Sequence, residues 1–304
     1  MSIFPTRILL STDGSEGARL AADAAATLAK GTGSELHVVC VGPGPPLYEL
    51  PDYPARFEEV VEVQRQGAKA VLDEEVERLE NSGANIATAC LEADERPDRT
   101  IVRLGEELGA GVIVVGSRGL GGLKRALMGS VSASVVHHAQ CPVLVVRDEA
   151  LVSPTRILLA TDGSEDARMA DEVALELAAR LGSELHLTYV EPMLERHPAP
   201  ARFRVDLPPG FVAGIEQEAE AKLADQVGRI GEGRGEVARA HARVGSPSAE
   251  IVALAEELEA GLVVLGSRGL GGMRRALMGS VSDSVVRHAP CSVLVVRPRR
   301  ERMA

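Results

Sequence analysis

The sequence predicts an α/β protein made of two tandem copies of one domain, residues 1–148 and 154–304, each a doubly wound sheet of five parallel strands. Three observations lead there. A chain of 304 residues suits two cores of about 150 residues better than one. Two segments recur in the same order in each half: Pro5–Arg19 and Pro154–Arg168 share 13 of 15 positions, and Gly116–Arg147 and Gly266–Arg297 share 26 of 32. The offset, 149 residues early and 150 late, marks a duplicated domain and exceeds the roughly 20–50-residue periods of solenoids. Lastly, short apolar runs rich in Val, Ile and Leu alternate with helical patterns, as in successive βαβ units.

The elements follow in order. Arg7–Thr12 (RILLST) reads as a strand buried on both faces. Thr12-Asp13-Gly14-Ser15 is a strand-to-helix turn with Ser15 as N-cap, and Ala18–Ala29 is an alanine-rich helix. Leu36–Val41 is the second strand and Pro43–Pro54 a proline-rich loop. Phe57–Glu80 is a long amphipathic helix carrying Val60, Val61, Ala68, Val71, Leu72, Val76 and Leu79 at helical spacing. A strand near Asn85–Leu91, a helix over Thr100–Leu108, a strand at Val112–Val115, a helix through Ser132–Ala139 and a strand at Val143–Val146 complete the domain.

The second half repeats the series, with strands at Arg156–Thr161, Leu185–Val190, Ala238–Val244, Leu262–Leu265 and Val293–Val296. Right-handed crossovers are expected throughout. The join, Asp148-Glu-Ala-Leu-Val-Ser-Pro154, is short, polar and closed by proline.

Composition narrows the function. Net charge is −11; residues 1–150 carry 14 Lys+Arg against 22 Asp+Glu (−8), and residues 151–304 carry 19 against 22 (−3). So acidic a chain is a poor general binder of nucleic acid or of anionic membrane. The basic run Arg297–Arg302 reads as a solvated tail. No apolar stretch approaches the ~20 residues of a membrane span. Met1–Pro5 leads into a strand without a leader pattern, so a cytoplasmic location is expected. Cys40, Cys90, Cys141 and Cys291 have neither CxxC nor metal-ligand spacing and read as reduced packing thiols. His137 and His138 read as surface residues, and His37 and His186, inside the second strands, as packed and hydrogen-bonded ones.

In a doubly wound sheet, ligands bind beyond the C-terminal strand ends where the strand order switches. Two features reach that edge in each half: an aspartate after the first strand (Asp13, Asp162) and a glycine-rich stretch after the fourth. The stretch reads Gly116-Ser-Arg-Gly119, nine residues, Gly129-Ser130, and again Gly266-Ser-Arg-Gly269, nine residues, Gly279-Ser280. Glycines let backbone lie against phosphate and permit positive φ. The helix that opens at Gly129-Ser130-Val131-Ser132 offers free N–H groups, a positive dipole end and serine hydroxyls to an anion. Lys124, Arg125, Arg274 and Arg275 in the intervening loops could neutralise its charge. Neither GxxxxGK[ST] nor GxGxxG occurs.

The spacing G-x2-G-x9-G-[ST], after VIVVGSRG and before CPVLVV, resembles the ATP-binding branch of the universal stress protein family, over essentially the whole chain and twice. The openings ILLSTDGSE and ILLATDGSE are similar to that family's first strand and turn. The resemblance implies a Rossmann-like strand order 3-2-1-4-5 and pairing through the fifth strands, within one chain or between two. It implies ATP, carried with Mg²⁺, as cofactor. Asp13 and Val41 would contact adenine and ribose, and Gly116, Gly119, Gly129, Ser130 and Val131 the phosphates. In the second half the same roles fall to Asp162, Val190, Gly266, Gly269, Gly279, Ser280 and Val281.

A Gly-x-Pro turn frequent in the family after strand three is present as Gly245-Ser-Pro247 but replaced by Glu95-Arg-Pro97. With the heavier negative charge of the first half, this sets the two sites apart in expected affinity. The resemblance implies a stress-response regulator whose nucleotide state controls conformation or partner choice. A slow ATPase or nucleotide-transferring enzyme, and an interaction module with unused pockets, are the alternatives. No catalytic residue is assigned, and neither the SGGxDS loop nor the HxGH signature of adenylating relatives occurs.

Overall fold

The computed structural model describes residues 4, 6–42, 54–93, 96–119, 128–147, 154–193, 210–231, 236–269 and 278–298. The chain divides into two units, Met1–Ser153 with Arg297–Ala304, and Pro154–Val296.

The first unit runs β1 (Arg7–Thr12), α1 (Glu16–Thr32), β2 (Glu35–Gly42), α2 (Pro54–Asn81), β3 (Ile86–Ala93), α3 (Pro97–Leu108), β4 (Val112–Gly116), α4 (Ser130–His138) and β5 (Val143–Val146). Its strands lie in the order β3-β2-β1-β4-β5, every described pairing parallel. The second unit runs β6 (Arg156–Ala160), α5 (Glu165–Leu181), β7 (Glu184–Pro192), α6 (Phe211–Gly231), β8 (Arg239–Gly245), α7 (Pro247–Glu257), β9 (Leu262–Gly266), α8 (Ser280–His288) and β10 (Ser292–Val296). Its order is β8-β7-β6-β9-β10, again parallel. Each unit is thus the doubly wound parallel sheet that the sequence predicts, in the 3-2-1-4-5 order that the family resemblance implies.

The central strands are buried on both faces because helices cover both: all five residues of β4 and all five of β9 are buried. Helix α1 turns Ala18, Ala21, Ala22, Ala25 and Leu28 inward, and these small side chains let it lie close on β1 and β4. Ser15 caps its start by accepting the Ala18 N–H at 3.2 Å, and Gly33, at φ 67°, closes its end. The helix therefore extends beyond Ala18–Ala29 at both ends.

Helix α2 departs from its sequence reading. Leu72 and Leu79 are buried, but Val60, expected on the inner face, is 52% exposed, and Val63 is 67% exposed. The cause is length. The 28 residues of α2 span about 42 Å, while the eight of β3 span about 26 Å, so the first turns of the helix overrun the sheet. The two prolines after strand three act alike despite different neighbours: Pro97 and Pro247 each occupy the first turn of their helix, where no N–H is needed.

His37 is buried with Nδ1 2.7 Å from Thr88 Oγ1, and His186 is buried with Nδ1 3.0 Å from His241 Nε2, as expected of strand-two histidines. Cys40, Cys141 and Cys291 are buried, and burial, with Asp13 nearby, pushes the Cys40 thiol up to about 11. Such a thiol is inert at neutral pH, in keeping with a packing role. The basic loop residues Lys124, Arg125, Arg274 and Arg275, most of the two proline-rich loops, and the tail beyond Pro298 lie outside the described residues.

Candidate nucleotide-phosphate site

At the C-terminal edge of the first unit, β1 is flanked by β2 on one side and β4 on the other, which makes it the switch point of the strand order. The turn leaving β1 is tied by its own side chains. Thr12 Oγ1 accepts the Gly14 N–H at 3.3 Å and Asp13 Oδ1 accepts the Ser15 N–H at 3.0 Å. Gly14 sits at φ 76°, and a Cβ there would also meet Val71 at 2.9 Å, so this position demands glycine. The cap of α1 is Ser15, which leaves Asp13 Oδ2 turned towards Gly119: a Cβ on Gly119 would lie 2.3 Å from it.

The stretch after β4 folds back on this turn. The Ser117 N–H donates to Val146 O (2.7 Å), the Gly129 N–H to Ser117 O (2.8 Å), and Ser132 Oγ to Gly116 O (2.6 Å). A Cβ on Gly116 would fall 2.5 Å from Gly17 O, and one on Gly17 would fall 2.4 Å from Arg118 O. Close approach of backbones, not handedness, explains these glycines. The positive φ expected of the motif is not found: Gly116, Gly119, Gly129, Gly266, Gly269 and Gly279 all lie outside the left-handed region, with Gly129 at −64° and Gly279 at −79°.

Gly129 is the N-cap of α4 and Gly279 that of α8, and neither has a side chain to cap with. The first-turn N–H groups, Ser130, Val131 and Ser132, and Ser280, Val281 and Ser282, thus have no capping side chain, in contrast to the capped starts of α1 and α5. Oriented N–H groups with a positive dipole end are an anion site.

The structure therefore brings Asp13, Gly116, Gly119, Gly129, Ser130 and Val131 to one edge. Val41 stands across β1 from the loop, one residue beyond Cys40, which is in register with Thr12. The second unit repeats the arrangement. Asp162 Oδ1 accepts the Ser164 N–H at 3.0 Å, a Cβ on Gly269 would lie 2.3 Å from Asp162 Oδ2, and Ser282 Oγ donates to Gly266 O at 2.8 Å. Val190 is the counterpart of Val41 on β7.

One contribution was not foreseen. Gly17 and Asp166 occupy the same place in the repeat, 149 residues apart, and they handle the loop differently. Asp166 accepts from Ser267 Oγ (2.7 Å) and, through both oxygens, from Arg268 (3.1 and 3.3 Å); Gly17 offers no side chain to Ser117 or Arg118. The mismatch is visible in the first repeated block, but only the fold shows that it faces the second block. Gly17→Ala is expected to cost about 1–2 kcal/mol in urea unfolding, because the loop after β4 must shift to admit the methyl. An unchanged midpoint would mean that the loop yields freely.

Comparison with known proteins agrees with this architecture. The family described as the universal stress protein family matches residues 5–147 and again 154–297. A universal stress protein of Mycobacterium tuberculosis (strain ATCC 25618 / H37Rv) is 35% identical over 206 residues, 66% of this chain and 66% of that protein. One from Mycolicibacterium smegmatis is 37% identical over 195 residues, 62% of this chain and 63% of its own length. The matches thus span just under two thirds of these relatives. The crystal structure of a universal stress protein from Archaeoglobus fulgidus DSM 4304 superimposes with a TM-score of 0.67 at 27% identity, covering 96% of this chain and 98% of that one.

Proposed function

Because the chain belongs to the universal stress protein family, with two such domains in tandem, we propose that it binds an adenine nucleotide in each half and acts as a stress-response regulator. The nucleotide is ATP with Mg²⁺, and its occupancy sets conformation or partner choice. One observation carries the reading: in both units a helix start without a capping side chain faces a glycine-walled loop and an aspartate at the switch point of the sheet.

The residues present fit such a ligand. The first-turn N–H groups of α4 and α8, with the hydroxyls of Ser130 and Ser280, would hold phosphate oxygens. Asp13 and Asp162, beside Val41 and Val190, would hold the ribose or base. Mg²⁺ would neutralise phosphate charge; among the described residues there is no group of three acidic, histidine or cysteine ligands to hold a metal ion without the nucleotide. Among the described residues no helix is long and apolar enough to cross a membrane.

Mass analysis of small molecules released by denaturing the purified protein tests the reading. ATP at up to two per chain supports it, and a preparation that neither carries nor takes up an adenine nucleotide refutes it. Turnover is expected to be weak, below about 1 s⁻¹, the low end of ordinary enzymes. Faster hydrolysis, lost in the Gly129→Ala plus Gly279→Ala double variant, would place the protein among the enzymes instead.

A further inference from the structure

The two phosphate loops are nearly identical in sequence yet hold their one described arginine in opposite ways. Arg118 and Arg268 sit at the centre of the site by backbone: the Cα of Arg118 is 3.6 Å from where a Gly129 side chain would begin, and the Cα of Arg268 is 3.6 Å from the same point on Gly279. Each is thus next to the helix start proposed to hold phosphate, well within the reach of its own side chain.

In the second unit the guanidinium is committed. Nε and one terminal nitrogen of Arg268 bind the two oxygens of Asp166, which also accepts from Ser267 Oγ. Asp166 is 5% exposed. For Arg268 to turn to a ligand, Asp166 would be left as an uncompensated buried charge, which proteins strongly resist. In the first unit the residue facing the loop is Gly17. Arg118 is exposed, and among the described residues its side chain makes no hydrogen bond or ion pair. Its fork of donors is available for the bidentate contact with phosphate oxygens at which arginine excels.

We infer that Arg118 makes the first unit selective for highly charged nucleotides, whereas the Asp166–Arg268 pair leaves the second unit largely indifferent to phosphate number. This inference rests on the nucleotide reading proposed above and adds a division of labour to it. One half responds to the triphosphate specifically. The other accepts tri- and monophosphate with similar affinity, because its one described arginine is held in an ion pair with Asp166. Charge-assisted contacts to a phosphate justify an effect of about ten-fold or more in the preference for ATP over AMP.

The experiment titrates the full chain with AMP and with MgATP by calorimetry, observing one site at a time. Gly279→Val silences the second unit and Gly129→Val the first. The ratio of the AMP to the ATP dissociation constant is expected to be at least about ten-fold larger at the first site. Adding Arg118→Gln, an exposed change that does not burden folding, should weaken ATP more than AMP and so bring that ratio down to the second site's value. Adding Asp166→Gly to the Gly129→Val chain should release Arg268 and raise the ratio at the second site. Asp166→Asn, which keeps the volume and a hydrogen bond to Ser267, serves the same purpose if the glycine variant fails to fold by circular dichroism. Equal ratios at both sites, or a first-site ratio unmoved by Arg118→Gln, overturn the inference while the nucleotide reading stands. Failure of both AMP and MgATP to bind either site overturns both.

Discussion

Saturating MgATP is expected to raise the melting temperature of the protein by roughly 5–10 °C, with each unit's phosphate loop answerable for its own share. A ligand that binds only the folded state adds about 2.7 kcal/mol at 100 times its dissociation constant, and each kcal/mol moves the melting of a domain of about 150 residues by roughly 2–4 °C. Gly129→Val should remove the rise from the first unit and Gly279→Val from the second. The ligand-free fold has room for a β-carbon at both positions. A Cβ on Gly129 would meet Ser117 O at 3.5 Å and the Arg118 Cα at 3.6 Å, ordinary contacts, and φ −64° with ψ 149° suits a β-branched residue. The valine is expected to obstruct the approach to the start of α4. A shift that survives both variants would put the nucleotide elsewhere. Asp13→Ala should weaken the shift and also cost the ligand-free protein about 1 kcal/mol, because Asp13 accepts the Ser15 N–H as well as facing the site.

The second large effect concerns Asp171, on α5. It is 8% exposed, its Oδ1 has no hydrogen-bond partner among the described residues, and burial pushes its carboxyl up to about 6. Arg229 and Arg168 nearby and a hydrogen bond to Thr161 favour the ionised form; Asp162 opposes it, and burial outweighs them all. An unfolded aspartate titrates near 4. Between about pH 4 and 6 the folded chain therefore holds a proton that the unfolded chain has released, so stability falls as pH rises through that window. Above it the ionised carboxylate costs the fold about 3 kcal/mol. Asp171→Asn is expected to stabilise the second unit by about 2–3 kcal/mol in urea at pH 7.5, and the gain should fade towards zero by pH 4. No gain at pH 7.5, or one that persists undiminished at pH 4, would show that the carboxylate is not strained. The first unit has Ala22 at this place and should show no such dependence.

The parallel, doubly wound sheet and the edge at which the glycine motif gathers were legible because they depend on patterns that many residues share, whereas the strand order came only with the family resemblance. Val143–Val146 is a strand to the residue, since a four-residue apolar run between Pro142 and Arg147 has nowhere else to begin or end. Helix ends were harder. Helix α3 starts at Pro97, three residues before the apolar pattern, because proline suits a first turn whose N–H groups are unused anyway. What was not legible rests on single substitutions whose partners lie far along the chain. Asp171 reads as one more charge on an acidic helix, and only the packing of α5 puts it inside. Asp166 reads as a good first-turn acid, which conceals its partnership with Arg268, 102 residues away.

The open starts of α4 and α8 bear on the protein without nucleotide as much as on the complex. Each helix has nine residues, fewer than the ~12–15 at which an isolated helix becomes even marginal in water, and each begins on a glycine with no side chain to hold its first amides. The first turn is then less firmly held than that of α1, which Ser15 secures, and its amide protons should exchange with solvent sooner. Phosphate oxygens in that place would act as the missing cap, so that ligand binding and the completion of secondary structure become one event. A partner that grips the helix only when its first turn is wound would sense nucleotide without touching it.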